Sequence, residues 1–568
     1  MGPARRWDTD RDWERKSSPS KGCPMSLPTT TAVSAGPGAL LLRIGLITAV
    51  SMTTIDQTIV ALSAPTIQSE LGLSQEGLQW AINAYLLATA AFFLVGGRLA
   101  DLFGHRRMVI VGIAGFAVAS LLCGITPTGE WAEPILIGAR VLQGLSGALM
   151  FPAAVGLLVQ SVPREGRGRT MATFFTITGA MTAIGPIAGG YLTQWTWRAI
   201  FWVNIPLAII AIILLIIARN VRMVTPAAAP RDRRIDWLGA VLVAAGMSLV
   251  IYALQRFGEL GWSTAWVWTV LAGGLVLLAG FIWWQNHTPA PLVQLSVFRS
   301  RGFSVSSLAI LIANISFVPI FFFLSVYGQL SLGLSASVTG LLFLKLFLGF
   351  AIGARIGSRR YDRQGIRMVL LIGGVAGAVG FGWLAQVATN LDIDGTSFFN
   401  PQTWPIALAG FGIGFMLTAA STDAINRAPQ AGYGEVTGIT QTLKNFGGAL
   451  GMAVIASIVT GRLTTLLTDS LGKFGATPAQ VTDVVNQVTG AGSGAAKDLP
   501  AGIPSSVAQQ ILDSVKLDYA HAAQWGFTAM AIAMAVLVVL ALLSPRGATP
   551  VAEAQSPDVS KPTATIKP

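Results

Sequence analysis

The stretch GGRLADLFGHRR, residues 96–107, is a short basic turn between two long apolar segments, and a second version of it occurs later in the chain. Five residues of this stretch recur 261 positions later. Gly96, Arg98, Asp101, Gly104 and Arg106 correspond in order to Gly357, Arg359, Asp362, Gly365 and Arg367. The glycine pair Gly185 and Gly189 recurs at an offset of 262 as Gly447 and Gly451. Two separate motifs repeated at nearly the same distance predict a duplicated chain whose halves share one fold.

Composition predicts that both halves lie in a membrane. Of the 568 residues, 53% are hydrophobic and 11% are charged, which is too little charge to cover a soluble protein of this length. The apolar residues form runs of about 20, long enough at ~1.5 Å per residue to cross a ~30 Å hydrocarbon core. The net charge of +12 does not predict a nucleic-acid partner, because the basic residues lie in turns between spans. We therefore expect an all-α polytopic membrane protein.

Fourteen spans are predicted. They begin near residues 40, 78, 108, 134, 170, 199, 236, 264, 302, 336, 366, 403, 434 and 521. Of the 38 Lys and Arg residues, 29 lie in the chain ends and every second connection, 6 in the other connections and 3 within spans. Because basic residues are retained on the cytoplasmic side, we expect a multi-pass protein of the inner (plasma) membrane with both termini in the cytoplasm.

The repeat maps the turn after span 2 onto the turn after span 10, a shift of eight spans rather than six. The expected fold is therefore two six-helix bundles with pseudo-twofold symmetry and two inserted helices. The expected divisions are a disordered tail over 1–38, a first bundle over 39–220, the inserted pair over 221–290, a second bundle over 291–544 and a disordered tail over 545–568. Residues 461–520 are expected to form a long extracytoplasmic loop, either solvated or with short amphipathic helices at 478–489 and 505–516.

Six motifs in order resemble the fourteen-helix drug:proton antiporter branch of the major facilitator superfamily, from about Leu40 to Ser544. They are MTTIDQTIVALSAPTI at 52–67, GGRLADLFGHRR at 96–107, RVLQGLSGA at 140–148, GPIAGG at 185–190, WRAIFWVNIP at 197–206 and GYGEVTGITQTLKNFGGALG at 432–451. The resemblance implies the major facilitator fold and proton-driven multidrug efflux, in which two bundles rock around a site near mid-membrane.

Asp56 and Arg140 are the candidate proton-coupling residues. A carboxylate near mid-membrane is costly unless it is paired, hydrated or protonated, so Asp56 can bind and release protons as its exposure changes. Arg140 keeps its proton and needs an acceptor, so we expect it to contact Asp56 directly or through water. The alternatives are an acid that only organises hydrogen bonds and an arginine that only binds carbonyl groups. The resemblance implies a coupling role for the acid.

The duplicated turn has two interpretations. Asp101 precedes span 3, where it can simply cap a helix. The resemblance implies a gate latch in which Asp101 also contacts helix 11 or a neighbouring arginine in the outward-facing state. The expected gate residues are Gly97, Arg98, Asp101, Gly104, Arg106, Arg107, Asp362 and Arg367.

The glycines of span 5 predict a close helix contact. Gly185 and Gly189 share a face, while Pro186 removes a backbone donor and bends the helix. The resemblance identifies Gly185, Pro186, Gly189 and Gly190 as the antiporter motif. We expect it to seal the outer side against span 10 near Ala336 and Gly340; ordinary glycine packing is the alternative.

The candidate substrate cavity contains Gln57, Gln143, Lys345, Gln441 and Lys444. Both lysines lie too deep in their spans to reach water easily. If Asp56 and Arg140 offset one another, these lysines leave the cavity net positive, which favours neutral or anionic lipophilic substrates over quaternary ammonium compounds. A purely structural role for Lys444 is the alternative.

We adopt the interpretation of a proton-coupled exporter, an antiporter of lipophilic drugs or related small molecules. The second interpretation is a dedicated exporter of a lipid or secondary metabolite. An enzyme or receptor would need a clustered catalytic set or an appended domain, and the sequence shows neither. Two cysteines and three histidines without ligand spacing predict no metal and no cofactor. The expected partners are a small lipophilic substrate, protons and membrane lipids, without nucleic acid, for a chain that acts as a monomer.

Overall fold

Helices form the regular structure of the described part of the chain. The computed structural model describes residues 37–162, 164–221, 223, 234–260, 264–391, 400–427, 433–473, 480–481, 484–485 and 505–544. Apart from residues 37–38, which begin the first helix, both predicted tails lie outside the described residues.

The helices match the predicted spans one for one. The first eight are α1 Pro37–Leu71, α2 Gln75–Phe103, α3 His105–Gly124, α4 Ala132–Gln160, α5 Arg164–Trp195, α6 Ala199–Asn220, α7 Trp237–Leu260 and α8 Ala265–His287. The others are α9 Arg301–Ser331, α10 and α11 within Ala336–Val387, α12 Thr403–Asn426, α13 Tyr433–Gly472 and α14 Ser505–Leu543. Within the described residues, twelve segments are long and apolar enough to cross a membrane. One of these twelve, Ala336–Val387, contains both α10 and α11, which meet at Gly365, and α5, with 32 residues, is not among the twelve. Counting α10 and α11 separately and including α5 gives the predicted fourteen helices.

The two duplicated turns reverse the chain in the same way. Gly104 between α2 and α3 has φ +93°, and Gly365 between α10 and α11 has φ +73°. An L-residue with a Cβ rarely adopts these angles, whereas glycine does so without steric cost. This conformational requirement explains why glycine occupies both positions of the repeat. The faces of the membrane are named from the ends of the chain: the terminal face is where α1 begins and α14 ends, and the distal face is opposite.

The two halves pack their helices in the same pairs. In the first half α1 packs on α5 and α2 on α4; in the second half α9 packs on α13 and α10 on α12. The halves meet where α5 contacts α10, α2 contacts α13 and α1 contacts α9. This arrangement agrees with the predicted pair of bundles.

The inserted helices α7 and α8 lie beside the contact between α2 and α13. Arg256 of α7 forms an ion pair with Glu76 of α2 at 3.0 Å. Asp236, just before α7, accepts hydrogen bonds from Trp284 and Gln285 of α8 at 2.8 and 2.7 Å, so it fastens the pair together. The insertion therefore borders both halves without entering their cores.

The predicted loop over residues 461–520 is helical at both of its ends, and most of its middle lies outside the described residues. Helix α13 continues to Gly472 and α14 begins at Ser505, so both ends of the segment are helical. The physical reason is an apolar stripe with helical spacing, since Leu463, Leu467 and Leu471 are buried. The predicted amphipathic helix at 505–516 is present as the start of α14, while most of 478–489 lies outside the described residues.

Candidate transport site

Asp56 and Arg140 form the predicted pair in the interior of the first half. Arg140 Nη1 donates to Asp56 Oδ2 at 2.5 Å, and the side chains are 2% and 0% exposed. The direct contact expected from the sequence is therefore present. Because both ions are buried, each compensates the desolvation of the other.

Three further side chains complete a hydrogen-bond network around this pair. Gln143 of α4 donates to Asp56 Oδ1 at 2.8 Å, and Asn204 of α6 donates to the same oxygen at 3.3 Å. Ser120 of α3 accepts from both amides, at 2.8 and 3.3 Å. Sequence reasoning missed Ser120 and Asn204, although Asn204 lies inside the quoted motif WRAIFWVNIP. We call the five residues Asp56, Ser120, Arg140, Gln143 and Asn204 the charge cluster.

Tyr85 of α2 separates the charge cluster from a central cavity. Its ring lies on the guanidinium of Arg140, 4.4 Å from the ring centroid, and its hydroxyl donates to the carbonyl of Thr53 at 3.4 Å. The same side chain lines the cavity. One aromatic residue therefore contacts the buried cation on one side and the open space on the other.

The central cavity lies between the two halves and is small, with a volume of about 20 Å³, which is room for about one water molecule. Its lining comes from α1, α2, α4 and α13: Thr53, Thr54, Gln57, Tyr85, Thr89, Phe93, Gly147, Phe151, Gln441, Lys444 and Asn445. Gln57 of α1 donates to Asn445 of α13 at 2.8 Å, a hydrogen bond that joins the two halves across the cavity. The predicted cavity residues Gln57, Gln441 and Lys444 are thus brought together.

Two predicted cavity residues lie elsewhere. Gln143 belongs to the charge cluster, behind Tyr85. Lys345 of α10 is 6% exposed and donates to Thr403 Oγ1 of α12 at 2.8 Å. The side chain of Lys345 lies on the face of α10 that packs within the second half, where Thr403 supplies a polar acceptor. Neither residue is among those that line the cavity in this structure.

The predicted latch residues of the first duplicated turn contact neighbouring groups in this conformation. Arg106 donates to the carbonyls of Leu215 and Ala218 at 3.2 and 3.1 Å, which binds the end of α6. Asp101 lies 3.4 Å from His105 Nε2, and the positive charge of the neighbouring Arg98 acts on it. The N-terminus of α3 has no side-chain cap, so the simple capping alternative for Asp101 is not observed either.

The other latch residues lie near the terminal face. Arg107 and Asp362 are exposed and Arg367 is partly buried. Arg98 donates to the carbonyl of Arg234 at 3.4 Å, so it contacts the connection before α7. Gly97 faces Pro152 of α4 with room for a methyl group. The latch role of these residues stays a prediction.

A larger cavity opens on the terminal face, with a volume of about 150 Å³. Arg98, Asp101 and His105 line it from the first duplicated turn, and Glu435 lines it from α13. Its remaining wall comes partly from the two connections of the inserted pair, residues 234–236 and 290–294. Glu435 accepts a hydrogen bond from the backbone N–H of Gln294 at 3.0 Å, which holds the second connection against α13.

The antiporter motif closes the distal face through two helix contacts. A Cβ on Gly185 would overlap the side chain of Thr58 of α1, and one on Gly189 would lie 2.9 Å from the side chain of Ile59. A Cβ on Gly190 would lie 2.8 Å from the carbonyl of Ala336 of α10. The expected contact with α10 is therefore made by Gly190, while Gly185 and Gly189 pack on α1, because they lie on a different face of α5.

A second contact on the distal face joins α1 to α9. Ser325 and Gln329 of α9 both donate to the carbonyl of Leu62, at 3.3 and 3.2 Å. With α5 against α10, this contact closes the space between the halves on the distal face. The conformation is closed at the distal face and contains its larger cavity at the terminal face.

A buried acid in the second half was missed by sequence reasoning. Asp423 of α12 is fully buried and accepts from Arg427 at 2.7 Å, Ser306 at 2.5 Å and Tyr361 at 3.0 Å. The available signal was the i,i+4 spacing of Asp423 and Arg427 near the end of span 12.

Comparison with known proteins gives consistent results. A family model described as Major Facilitator Superfamily matches residues 46–452. The cephamycin export protein CmcT of Amycolatopsis lactamdurans is 32% identical over 418 residues, 72% of this chain and 83% of that protein. The puromycin resistance protein pur8 of Streptomyces alboniger is 33% identical over 443 residues, 76% of this chain and 83% of that protein.

Among solved structures, the fold resembles a bacterial homologue of the human lysosomal transporter Spinster in an inward-facing, unoccupied conformation. The TM-score is 0.57 at 14% sequence identity, with 89% of this chain and 97% of that chain covered. At this identity the likeness concerns the fold alone.

Proposed function

The chain belongs to the major facilitator superfamily, in its multidrug exporter branch, and we propose that it is a proton-coupled antiporter that exports lipophilic small molecules. Relatives named for cephamycin export and for puromycin resistance support export as the direction of transport. The observation that carries the proposal is the charge cluster, a buried carboxylate and guanidinium separated from the central cavity by one tyrosine ring.

The charge cluster contains groups suited to both protonation states of Asp56. In the ionised state, Asp56 accepts from Arg140, Gln143 and Asn204. In the protonated state the carboxyl group needs an acceptor for its own O–H. Asn204 Oδ1 is buried and has no hydrogen-bond partner among the described residues, and rotation of this amide would present it to the protonated acid.

Protonation of Asp56 changes the electrostatics beside the cavity. The neutral acid no longer compensates Arg140, whose remaining partners are the carbonyl of Ala81, the amide of Gln143 and the ring of Tyr85. These neutral groups stabilise a buried cation less than a carboxylate does. We infer that loading of a proton therefore favours a conformation in which Arg140 is better hydrated, and this links the proton to the movement of the two halves.

The direction of movement follows from the two faces. We propose that the terminal face is cytoplasmic and that the membrane is the inner (plasma) membrane, in agreement with the distribution of basic residues. Substrate would enter through the larger cavity, and the contacts of α5 with α10 and of α1 with α9 would then open. One elementary charge crossing ~100 mV is worth ~2.3 kcal/mol, which supports a roughly fifty-fold substrate gradient per proton when coupling is complete.

The test uses purified protein in liposomes with an imposed pH gradient and an interior pH dye. Cationic, neutral and anionic lipophilic compounds are added to wild type, to Asp56→Asn and to the control Asp513→Asn, an exposed acid on α14. We expect at least one compound to dissipate the pH gradient in liposomes that contain wild type or the control, but not in liposomes that contain Asp56→Asn. If no compound moves protons in wild type, or if Asp56→Asn behaves as wild type, the proposed mechanism is wrong.

A further inference from the structure

The charge of the central cavity is set by one residue. Among the residues that line it, Lys444 alone carries a formal charge; the others are hydroxyl, amide, aromatic or glycine residues. Lys444 has no hydrogen bond or ion pair with another residue in the described part of the chain. The cavity between the two halves therefore contains a cation for which the described residues provide no partner.

The nearest buried acid does not compensate Lys444. Both oxygens of Asp56 are occupied by donors of the charge cluster, with Arg140 bound directly to one of them. The ring of Tyr85 lies between this cluster and the cavity. Asp56 and Arg140 together carry no net charge, so Lys444 determines the sign of the potential in the cavity. Lys345, which is bound to Thr403, does not contribute to the lining.

The groups around Lys444 form two chemically different walls. Gln441, Lys444 and Asn445 occupy one face of α13 at i, i+3 and i+4, and Gln57 of α1 donates to Asn445. The other wall is aromatic: Phe93 and Phe151 lie 5.4 Å apart with their planes tilted by 58°, and Tyr85 lines the cavity with them. A ligand that satisfies both walls has an aromatic body and an anionic group.

On the basis of the proposed export function, we propose that the central cavity, once the two halves have moved apart enough to admit a ring, is a binding site for aromatic anions, with the anionic group paired to Lys444 and the ring packed on Phe93 and Phe151. Gln441 lines the cavity beside Lys444, where its amide can donate to the remaining oxygen atoms of such a group. The hydroxyl groups of Thr53 and Thr54 already donate to the carbonyls of Val50 and Ser51. The same arrangement disfavours quaternary ammonium compounds, because a second cation in this small space repels Lys444.

The first test measures binding to purified protein in nanodiscs by calorimetry. The probes are 2-naphthalenesulfonate, a permanent anion, and 2-naphthalenesulfonamide, a neutral compound of nearly the same shape. We expect wild type to prefer the sulfonate by roughly tenfold or more, Lys444→Gln to lose this preference and Lys444→Arg to retain it. The control is Lys345→Gln, which removes the other buried lysine and should leave the preference unchanged.

Equal affinity of wild type for the two probes would overturn the proposal, as would a preference that persists in Lys444→Gln. Thermal melting of each variant in the same nanodiscs shows whether the variant is folded. If Lys444→Gln is unfolded, two other measurements replace it: binding of both probes to Lys444→Met, and binding of both probes to wild type over a series of salt concentrations. Because salt screens charge pairing, we expect only the affinity for the sulfonate to fall as the salt concentration rises.

The liposome assay separates this proposal from the export function. We expect Lys345→Gln, whose lysine lies outside the cavity lining, to exchange protons for both neutral compounds and the impermeant sulfonate, and Lys444→Gln to lose exchange with the sulfonate. If wild type exchanges protons for neutral compounds and the sulfonate neither binds nor moves, the anion site is wrong while export stands. If no compound moves protons, export itself is wrong.

Discussion

The two halves of the molecule share their glycine contacts and differ in their buried charges. Gly185 and Gly189 pack on α1 at Thr58 and Ile59, and their repeats Gly447 and Gly451 pack on α9 at the carbonyls of Leu311 and Ile315. Gly96 meets the carbonyl of Ala148, and its repeat Gly357 meets the carbonyl of Phe415. Duplication has therefore preserved the places where backbones come close, because a Cβ there would overlap another helix.

The buried acids do not follow the repeat. In the first half Asp56 lies in the middle of α1 and pairs with Arg140 of another helix. In the second half Asp423 lies near the end of α12 and pairs with Arg427 one turn later on the same helix. An acid in the middle of the membrane, held by a different helix, can report movement between helices. The ion pair of Asp423 lies within one helix near the terminal face, and its other donors, Ser306 and Tyr361, are neutral side chains of α9 and α10. We therefore propose that proton coupling resides in the first half.

The largest expected effect distinguishes the two arginines. Arg140→Leu leaves Asp56 buried without its cation, so we expect a loss of about 3–5 kcal/mol of stability and complete loss of proton exchange. Arg427→Leu should cost less, since Arg427 is 14% exposed against 2% for Arg140, and should retain exchange. Thermal melting and the liposome assay measure the two effects. Equal loss of exchange in both variants would contradict the division between the halves.

The second prediction tests the feature that the halves share. Gly96→Ala and Gly357→Ala each place a Cβ against a backbone carbonyl, and we expect both to lower stability by roughly 1–3 kcal/mol. The matched control is Gly97→Ala, whose Cβ would lie 3.7 Å from Pro152, an ordinary contact. Melting temperatures of the three variants provide the comparison. A Gly357→Ala variant as stable as Gly97→Ala would show that the repeated contact is not tight in the second half.

A smaller effect is expected at the acid of the second half. Asp423→Asn keeps the shape of the side chain but weakens its hydrogen bonds to Arg427 and Ser306, at a cost of about 1–3 kcal/mol. Proton exchange should remain, in contrast to Asp56→Asn. The measurement is the pH dependence of exchange in the two variants. Loss of exchange in folded Asp423→Asn would place part of the proton pathway in the second half.

The smallest effect concerns the duplicated turn. Arg106→Gln removes two hydrogen bonds to the carbonyls of Leu215 and Ala218, and we expect a loss of about 1 kcal/mol. Arg107→Gln changes an exposed side chain and should leave the melting temperature unchanged. Transport that fails in Arg106→Gln at unchanged stability would favour the gate-latch interpretation over a role in binding the end of α6.

Much of the fold was predictable from local features of the chain. Runs of about 20 apolar residues predicted the fourteen spans, and the repeat predicted which helices correspond. The contact of Asp56 with Arg140 was predictable because a buried guanidinium requires an acceptor and no other acid had been placed near mid-membrane. The start of α14 agrees with the alternative helix at 505–516. The extension of α13 to Gly472 is not among the predictions, although Leu463, Leu467 and Leu471 continue the helical pattern.

By itself, the sequence determined the membrane class, the duplication, the family and the pairing of Asp56 with Arg140. Only the tertiary structure decided that Lys345 binds Thr403 while Lys444 lines the cavity, that Gly190 rather than Gly185 contacts α10, and that Asn204 joins the charge cluster. The physical reason is that a membrane helix is apolar on nearly every side, so its sequence carries little amphipathic signal for which face meets a neighbour. Helix rotation is set by packing between segments that are distant in the chain.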